Sequence, residues 1–432
     1  MDVSLRYEMF ELDNGLRVMV HEDHRAPLAC VCVWYHVGSK DERPGRTGFA
    51  HLFEHLMFEG SEHVPEGGFD QLLESVGGTN NGSTSPDRTN YWTALPAHAL
   101  PLALYLEADR MGGLLPAITQ AQLDAQRDVV KNERRQSYEN RPYGLASETL
   151  LAALYPPDHP YHWPVIGSMV DLSAATLADV HSFCRTYYTP TNATLAVAGD
   201  TTVAQVRDTV ERYFGEVPRG PATPAVRPPA AAISDERRLV LEDNVRLARL
   251  YMEWHSPAAF APGDAELDTV AGVLAGGRAA RLYRSLVYER QIAQSVSAYQ
   301  GSALLGSTFR ISITARPDVA LGKLEDAVRA ELKTIATNGI TVRELDRSRN
   351  GIETQLIDAL QTVGGFGGRA DQLNMYLFHT GDPAFVGEDI MRYRRMTTDD
   401  LAAAVATHLL RPGVVLSVVP RGRMELAAGT VA

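Results

Sequence analysis

Apolar residues recur along the chain with two different periods, separated by polar, glycine-bearing and proline-bearing stretches. Residues 15–20 read G-L-R-V-M-V and residues 29–38 read A-C-V-C-V-W-Y-H-V-G. Both are short runs rich in β-branched and aromatic residues, the signature of strands. Over 47–59 the period changes: Phe49, Leu52, Phe53, Leu56 and Met57 recur at three- and four-residue intervals, which predicts a helix. Residues 126–140, Q-R-D-V-V-K-N-E-R-R-Q-S-Y-E-N, are helical by pattern and highly charged. Residues 176–200, T-L-A-D-V-H-S-F-C-R-T-Y-Y-T-P-T-N-A-T-L-A-V-A-G-D, predict a helix followed by a strand.

The same order returns later in the chain. R-R-L-V-L-E-D and R-L-A-R-L-Y-M-E-W-H, followed by a helix near 264–275, begin the second half as the first half begins. Residues 397–420 repeat the helix and strand of 176–200, with Thr397 and Asp400 spaced as a capping box. Leu416 matches Leu195 at an offset of 221 residues. Between the halves, Pro218, Pro221, Pro224, Pro228 and Pro229 exclude helix and central strand and predict a stiff, extended linker. The expected fold is therefore α+β, with two duplicated domains, each a mostly antiparallel sheet packed with helices. The first spans 1–217, the Pro-rich linker 218–238, and the second, related domain 239–432.

Composition narrows the function classes. A chain of 432 residues with 45% hydrophobic and 22% charged residues is globular and exceeds one ordinary core. Lys and Arg total 41 against 53 Asp and Glu, a net charge of −12, which disfavours a nucleic-acid partner. No run approaches the ~18 apolar residues of a membrane span. The N-terminal stretch M-D-V-S-L-R-Y-E-M-F-E-L carries acids and no apolar core. The location expected from it is cytoplasmic, or periplasmic or organellar if a targeting segment was trimmed. Cys30, Cys32 and Cys184 are too few and odd in number for a fully paired framework. Cys30 and Cys32 share one face of a strand and read as buried small hydrophobes, which mildly favours a reducing compartment.

The chemistry concentrates in G-F-A-H-L-F-E-H-L-M-F, residues 48–58. His51 and His55, four apart, lie on one helical face and can converge on a zinc ion. Glu54, beside them, can take a proton from water acidified by that metal. The order H-x-x-E-H is the inverted form of the commoner zinc motif. Such paired histidines are often surface or capping residues, but here apolar neighbours crowd them, and buried imidazoles beside a glutamate call for a partner. Zinc needs a third protein ligand, and the best downstream segment is 126–140, where Glu133 also reads as an ordinary solvated carboxylate. T-N-N-G-S-T-S, residues 79–85, is a polar, glycine-bearing segment that reads as a flexible loop or as an edge strand able to pair with an extended peptide. His159 and His162, in a Pro-rich loop, read as structural. G-G-F-G-G at 364–368 lacks the Lys-Ser/Thr ending of a phosphate loop, and Gly276 and Gly277 lack a dinucleotide-binding context.

Taken together these segments resemble the pitrilysin/insulinase-like zinc metallopeptidases. The closest resemblance is to the half-length branch that includes mitochondrial processing peptidase and paired bacterial peptidases. R-D-V-V-K-N-E, ending at Glu133, looks like the family's second motif, at about the family's distance from His55. H-P-Y at 159–161, Y-Y-T-P-T-N-A-T-L-A-V-A-G-D at 187–200 and R-L-Y-R-S-L at 281–286 fall in the family's order. The resemblance implies two related domains facing each other across a cleft. It implies one zinc ion per chain on His51, His55 and Glu133, with Glu54 as general base. It also favours strand addition of a peptide substrate at Asn81, Gly82 and Ser83. Where the family has a further glutamate near the metal, this chain has Gln126, which can hydrogen-bond but carries no charge.

The family's single-chain enzymes carry an arginine and, seven residues on, a tyrosine in their later half. Those positions here are Val287 and Gln294, with Tyr288 and Arg290 at the wrong spacing. In paired members the partner supplies the missing residues. The expected function is thus a zinc endopeptidase acting on extended peptides or short unfolded polypeptides. It would be the zinc-bearing subunit of a heterodimer whose homologous partner brings the Arg/Tyr pair. The alternative is a non-catalytic scaffold or peptide-binding subunit of the same fold.

Overall fold

Along residues 28–35 the side chains of Val31, Val33 and Tyr35 alternate with those of Cys30, Cys32 and Trp34, and both sets are buried. A strand apolar on both faces must be covered on both. The computed structural model, which describes residues 3–429, shows how. This strand, β3 (Leu28–Tyr35), follows β1 (Glu8–Glu11) and β2 (Arg17–Glu22) and precedes β4 (Thr79–Thr84), β5 (Thr89–Pro96) and β6 (Ala193–Gly199). They form one sheet in the order β1-β2-β6-β3-β5-β4, antiparallel throughout except for the parallel pair β2–β6. Helices α1 (Phe49–Leu56), α2 (Gly68–Ser75) and α3 (Leu100–Ala117) pack on one face, and α4 (Gln120–Arg134) packs against α1. The other face is covered by helix Arg369–Thr380, which lies on β3 and β6.

A second sheet is built from β7 (Arg237–Asp243), β8 (Arg249–Ser256), β9 (Ala293–Gly301), β10 (Ser307–Ala315) and β11 (Val414–Pro420). Its order is β7-β11-β8-β10-β9, with only β7–β11 parallel. This is the topology of the first sheet without its β1. The register matches as well. Leu195 pairs with Val18 and Leu416 with Leu239, and both members of each comparison lie 221 residues apart. Capping boxes recur at that offset, Thr176 with Asp179 and Thr397 with Asp400. The fold is α+β and duplicated, as its sequence repeats indicate.

The two compact units do not follow the contiguous division at the Pro-rich linker. One comprises residues 1–134, 163–227 and 356–387; the other comprises 135–162, 228–355 and 388–432. Helix α5 (Ala146–Leu154) thus belongs with the second sheet. There Leu150 and Leu154 pack with Val414, Leu416 and Val418. Helix Arg369–Thr380 from the later half belongs with the first. Each sheet is apolar on both faces, and each takes one covering helix from the other half of the chain. Residues 218–233 are without regular structure, while Arg237 and Arg238, read as linker, begin β7.

Other readings can be placed. Cys30, Cys32 and Cys184 are free and buried. His159 stacks on Tyr155, and His162 bonds the Tyr155 carbonyl at 2.8 Å, so both are structural. No helix among the described residues is long and apolar enough to cross a membrane.

Candidate metal centre

The helix carrying the histidines starts at a glycine. Gly48 has φ 87°, a left-handed conformation suited to glycine, and a Cβ there would lie 2.7 Å from the Ile166 carbonyl oxygen. Glycine has no side chain to cap the free N–H groups of the first turn. Glu42 does it instead: its carboxyl accepts from the Gly48 N–H at 2.9 Å and the Ala50 N–H at 2.8 Å. The Trp163 indole N–H adds a third bond at 3.1 Å. Burial pushes this carboxyl up to about 8, against the donors that favour its charged form. Thr47, one residue before, is tied to Asp171 through its N–H and its hydroxyl.

The apolar side of α1 (Phe49, Leu52, Phe53, Leu56) is buried, and its other side turns toward α4. Gln122 and Gln126 fasten α4 to the turn after α1, through the carbonyl and the carboxylate of Glu59 at 2.9 and 2.6 Å. This docking sets Glu133 beside both histidines. Its Oε2 lies 3.7 Å from His51 Nε2 and 3.5 Å from His55 Nε2. The three ligand atoms lie within 4.8 Å of one another. In a tetrahedron with bonds of about 2.0–2.1 Å, ligand atoms stand roughly 3.4 Å apart, so the set fits a zinc ion with little movement.

The electrostatics agree with that donor set. Burial, then the neighbouring His55, pushes His51 down to about 4, which keeps its ring neutral and able to ligate. His51 Nδ1 is buried without a hydrogen-bond partner among the described residues. Burial works against the charged form of His55, but Glu133, Glu54 and Gln126 outweigh it and hold its pKa above the ordinary value. The hydrogen bond from His55 holds Glu133 low, against its partial burial.

Glu54 stands outside this set of three. Its carboxylate accepts a 2.5 Å hydrogen bond from the Thr84 hydroxyl at the end of β4, while burial raises its pKa. Thr84 ties α1 to the strand read as a peptide-pairing edge. β4 is an edge: among the described residues it pairs with β5 alone. Asn81, Gly82 and Ser83 occupy its middle, and a Cβ on Gly82 would meet the Tyr91 ring at 3.0 Å. Arg88 bonds the Ser83 carbonyl and hydroxyl at 2.9 and 2.7 Å and stacks on Trp34. Ser83 also donates to Asn90, and Asn90 to Asp371, which accepts from Trp34 as well.

Sequence reasoning did not single out Glu42, Thr84, Arg88 or Asp371. Glu42 had a usable signal, an acid shortly before a helix that opens with glycine. The others are set by register and long-range packing. In the second unit, Val287 is partly buried against the core and Gln294 is exposed at the start of β9, so neither offers a cation or a phenol. Tyr288 is 75% exposed.

An inverted H-x-x-E-H helix is thus set beside a glutamate from a second helix on a duplicated α+β fold. The chain belongs to the insulinase-like peptidase family: residues 17–160 match the family described as Insulinase (Peptidase family M16), and 174–352 match the Peptidase M16 inactive domain. It is 29% identical over 370 residues to the zinc protease PqqE of Helicobacter pylori, covering 84% of this chain and 82% of that one. It is 24% identical to a probable mitochondrial-processing peptidase subunit beta of Arabidopsis thaliana, over 80% of this chain and 66% of that one. The crystal structure of a protease from Helicobacter pylori superposes with a TM-score of 0.91 at 26% identity, over 97% of this chain and all of that one. The periplasmic protease PqqL of Escherichia coli shares the fold (TM-score 0.81, 20% identity), with this chain covering 49% of its length.

Proposed function

We propose that this chain is a zinc-dependent endopeptidase that hydrolyses extended peptides or short unfolded polypeptides and binds one zinc ion through His51, His55 and Glu133. The observation that carries the reading is the meeting of those three ligand atoms within 4.8 Å, beside a glutamate that is not one of them. Zinc held there supplies Lewis-acid polarisation of a peptide carbonyl and a lowered pKa for water. Glu54 takes the proton from the attacking water and returns it to the leaving amine, oriented by the Thr84 hydroxyl. Asn81, Gly82 and Ser83 offer the free edge of β4 to the substrate main chain. Gln126 holds His55 in place without adding charge.

We further infer that the chain works with a homologous second subunit. Val287 and Gln294 supply neither a cation nor a phenol hydroxyl to a developing oxyanion, and losing one such donor can cost ~10²–10³-fold in turnover. Three free cysteines are compatible with a reducing, cytoplasmic setting. The test is to measure metal content and then cleavage of quenched peptides, with and without chelator and with and without the partner. One zinc per chain and chelator-sensitive cleavage, strengthened by the partner, are expected. Zinc binding without cleavage in any combination would leave a scaffold or peptide-binding subunit.

A further inference from the structure

β4 has two faces with different surroundings. Asn80 and Thr84 turn toward the helices of the candidate metal centre, bonding Asp70 of α2 at 2.8 Å and Glu54 of α1. Thr79, Asn81 and Ser83 turn the other way, because side chains alternate along a strand. On that face Thr79 pairs with Ala94 and Asn81 with Trp92. A cavity of about 900 Å³ opens there, within the first unit. Thr79, Trp92 and Ala94 line it from the sheet, and Ile357, Leu360 and Val363 from the segment leading to helix Arg369–Thr380. Arg369, 3% exposed, also lines it and is paired with Asp23 at 2.6 Å. The Arg369 Nε and Trp92 Nε1 groups are buried without hydrogen-bond partners among the described residues. The loop is held to the sheet: the Gly367 N–H bonds Asp371, which accepts from Asn90 of β5. The cavity is therefore pre-formed, mainly apolar, and continuous with the free edge of β4.

We propose that this cavity is a recognition subsite for large apolar side chains of the peptide that β4 binds, remote from the bond being cut. The inference rests on the reading of β4 as the substrate strand. A peptide paired with the edge of β4 places alternate side chains on each face. Those opposite Thr79 and Asn81 point to the cavity side, about 7 Å apart. The volume holds two such side chains. Thr84, which marks the catalytic end, lies five residues from Thr79, about 17 Å at ~3.4 Å per residue. The favoured apolar residues thus lie about three and five positions from the catalytic end, with an indifferent position between them.

The test is peptide binding to the zinc-loaded full chain carrying Glu54→Gln, which separates recognition from turnover. The probes are peptides long enough to run from Thr84 past Thr79, scanned with Phe or Ser at each remote position. Replacing Phe by Ser at two positions two apart should weaken binding about 10–100-fold each, with little change at the position between. Ala94→Phe, which fills the cavity, and Ile357→Lys, at a position 38% exposed, should each abolish the preference. Both should leave affinity for a short peptide that stops before the cavity unchanged. A preference without the two-residue period, or one that survives both variants, overturns the subsite. Cleavage of peptides without the pattern overturns it too, while leaving the peptidase reading intact. The pattern in binding with no cleavage under any condition supports the subsite and refutes the peptidase reading.

Discussion

Glu42 carries a burden that its distance from the proposed metal ligands hides, and replacing it tests how their helix is held. In Glu42→Gln the side chain keeps its shape and one carbonyl oxygen. That oxygen can serve the N–H of Gly48 or of Ala50, and the amide NH₂ faces the other. Trp163 keeps a second acceptor, the Ser39 carbonyl at 3.1 Å, so it does not enter the count. A buried donor left without an acceptor costs about 1–3 kcal/mol. That single orphaned donor sets the loss expected for Gln, about 1–3 kcal/mol. Glu42→Ala orphans both N–H groups and is expected to lose about 2–6 kcal/mol. Because α1 presents His51 and His55 within its first two turns, fraying at Gly48 depletes the state able to bind metal. Apparent affinity falls with the fraction of chains in which that turn is formed, approaching tenfold for each 1.4 kcal/mol once the frayed state predominates. The assay is amide hydrogen exchange over residues 48–52 in chelator, paired with zinc affinity by competition. Faster exchange confined to that turn, with weaker zinc binding, is expected. Unchanged exchange and unchanged affinity in Glu42→Gln would refute the capping argument.

Glu54→Gln should abolish hydrolysis, by ~10²–10⁴-fold or more, and keep zinc bound, as metal analysis alongside a peptide assay would show. Zinc lost in that variant would make Glu54 a ligand. Glu133→Gln should instead weaken zinc binding, and full affinity in it would move the third ligand elsewhere. Gly82→Pro removes an N–H now held by Asn81 Oδ1 at 2.8 Å and fixes φ on the edge strand; peptide cleavage should fall far more than zinc affinity. In the second unit, the two-point bond from Arg281 holds Glu344 down to about 2. A depressed carboxyl stabilises the fold above its unfolded pKa and loses that contribution as pH falls through the folded value. The stability gap between wild type and Glu344→Gln, followed by urea unfolding, should be widest near neutrality and close between about pH 4.5 and pH 2. A gap constant across that window would remove the ion pair from the account.

The elements were legible because each of their faces has one environment. β3 and β6 read as continuous apolar runs since helices cover both sides. The duplication was legible because register and caps repeat at one offset. The exchange of helices was not. Leu150 and Leu154 announce that α5 has a buried face, but amphipathicity says nothing of which sheet buries it. Two nearly equivalent sheets in one chain make that ambiguity unavoidable. In the site, the spacing of His51, Glu54 and His55 is local and could be read directly. Glu133 could not be told from its charged neighbours without the family resemblance, because what distinguishes it is the docking of α4 by Gln122 and Gln126.

The duplicated scaffold also shows why, among the described residues, one half holds the candidate metal site and the other does not. Each sheet's second long strand, β3 or β8, leads to a helix that opens on a glycine with left-handed φ, Gly48 at 87° and Gly263 at 97°. Counting from those glycines, His51, Glu54 and His55 correspond to Glu266, Thr269 and Val270. In the second unit each of these has a structural task. Glu266 bonds the Gly263 N–H at 2.9 Å, Thr269 bonds back to the Ala265 carbonyl, and Val270 is fully buried in the core. Residues that cap, back-bond and fill a core leave no converging side chains for an ion. In the first unit the capping task has moved off the helix to Glu42, and the matching face of α1 turns to α4 instead of into the core. That displacement frees the positions of His51, Glu54 and His55 for the proposed zinc chemistry.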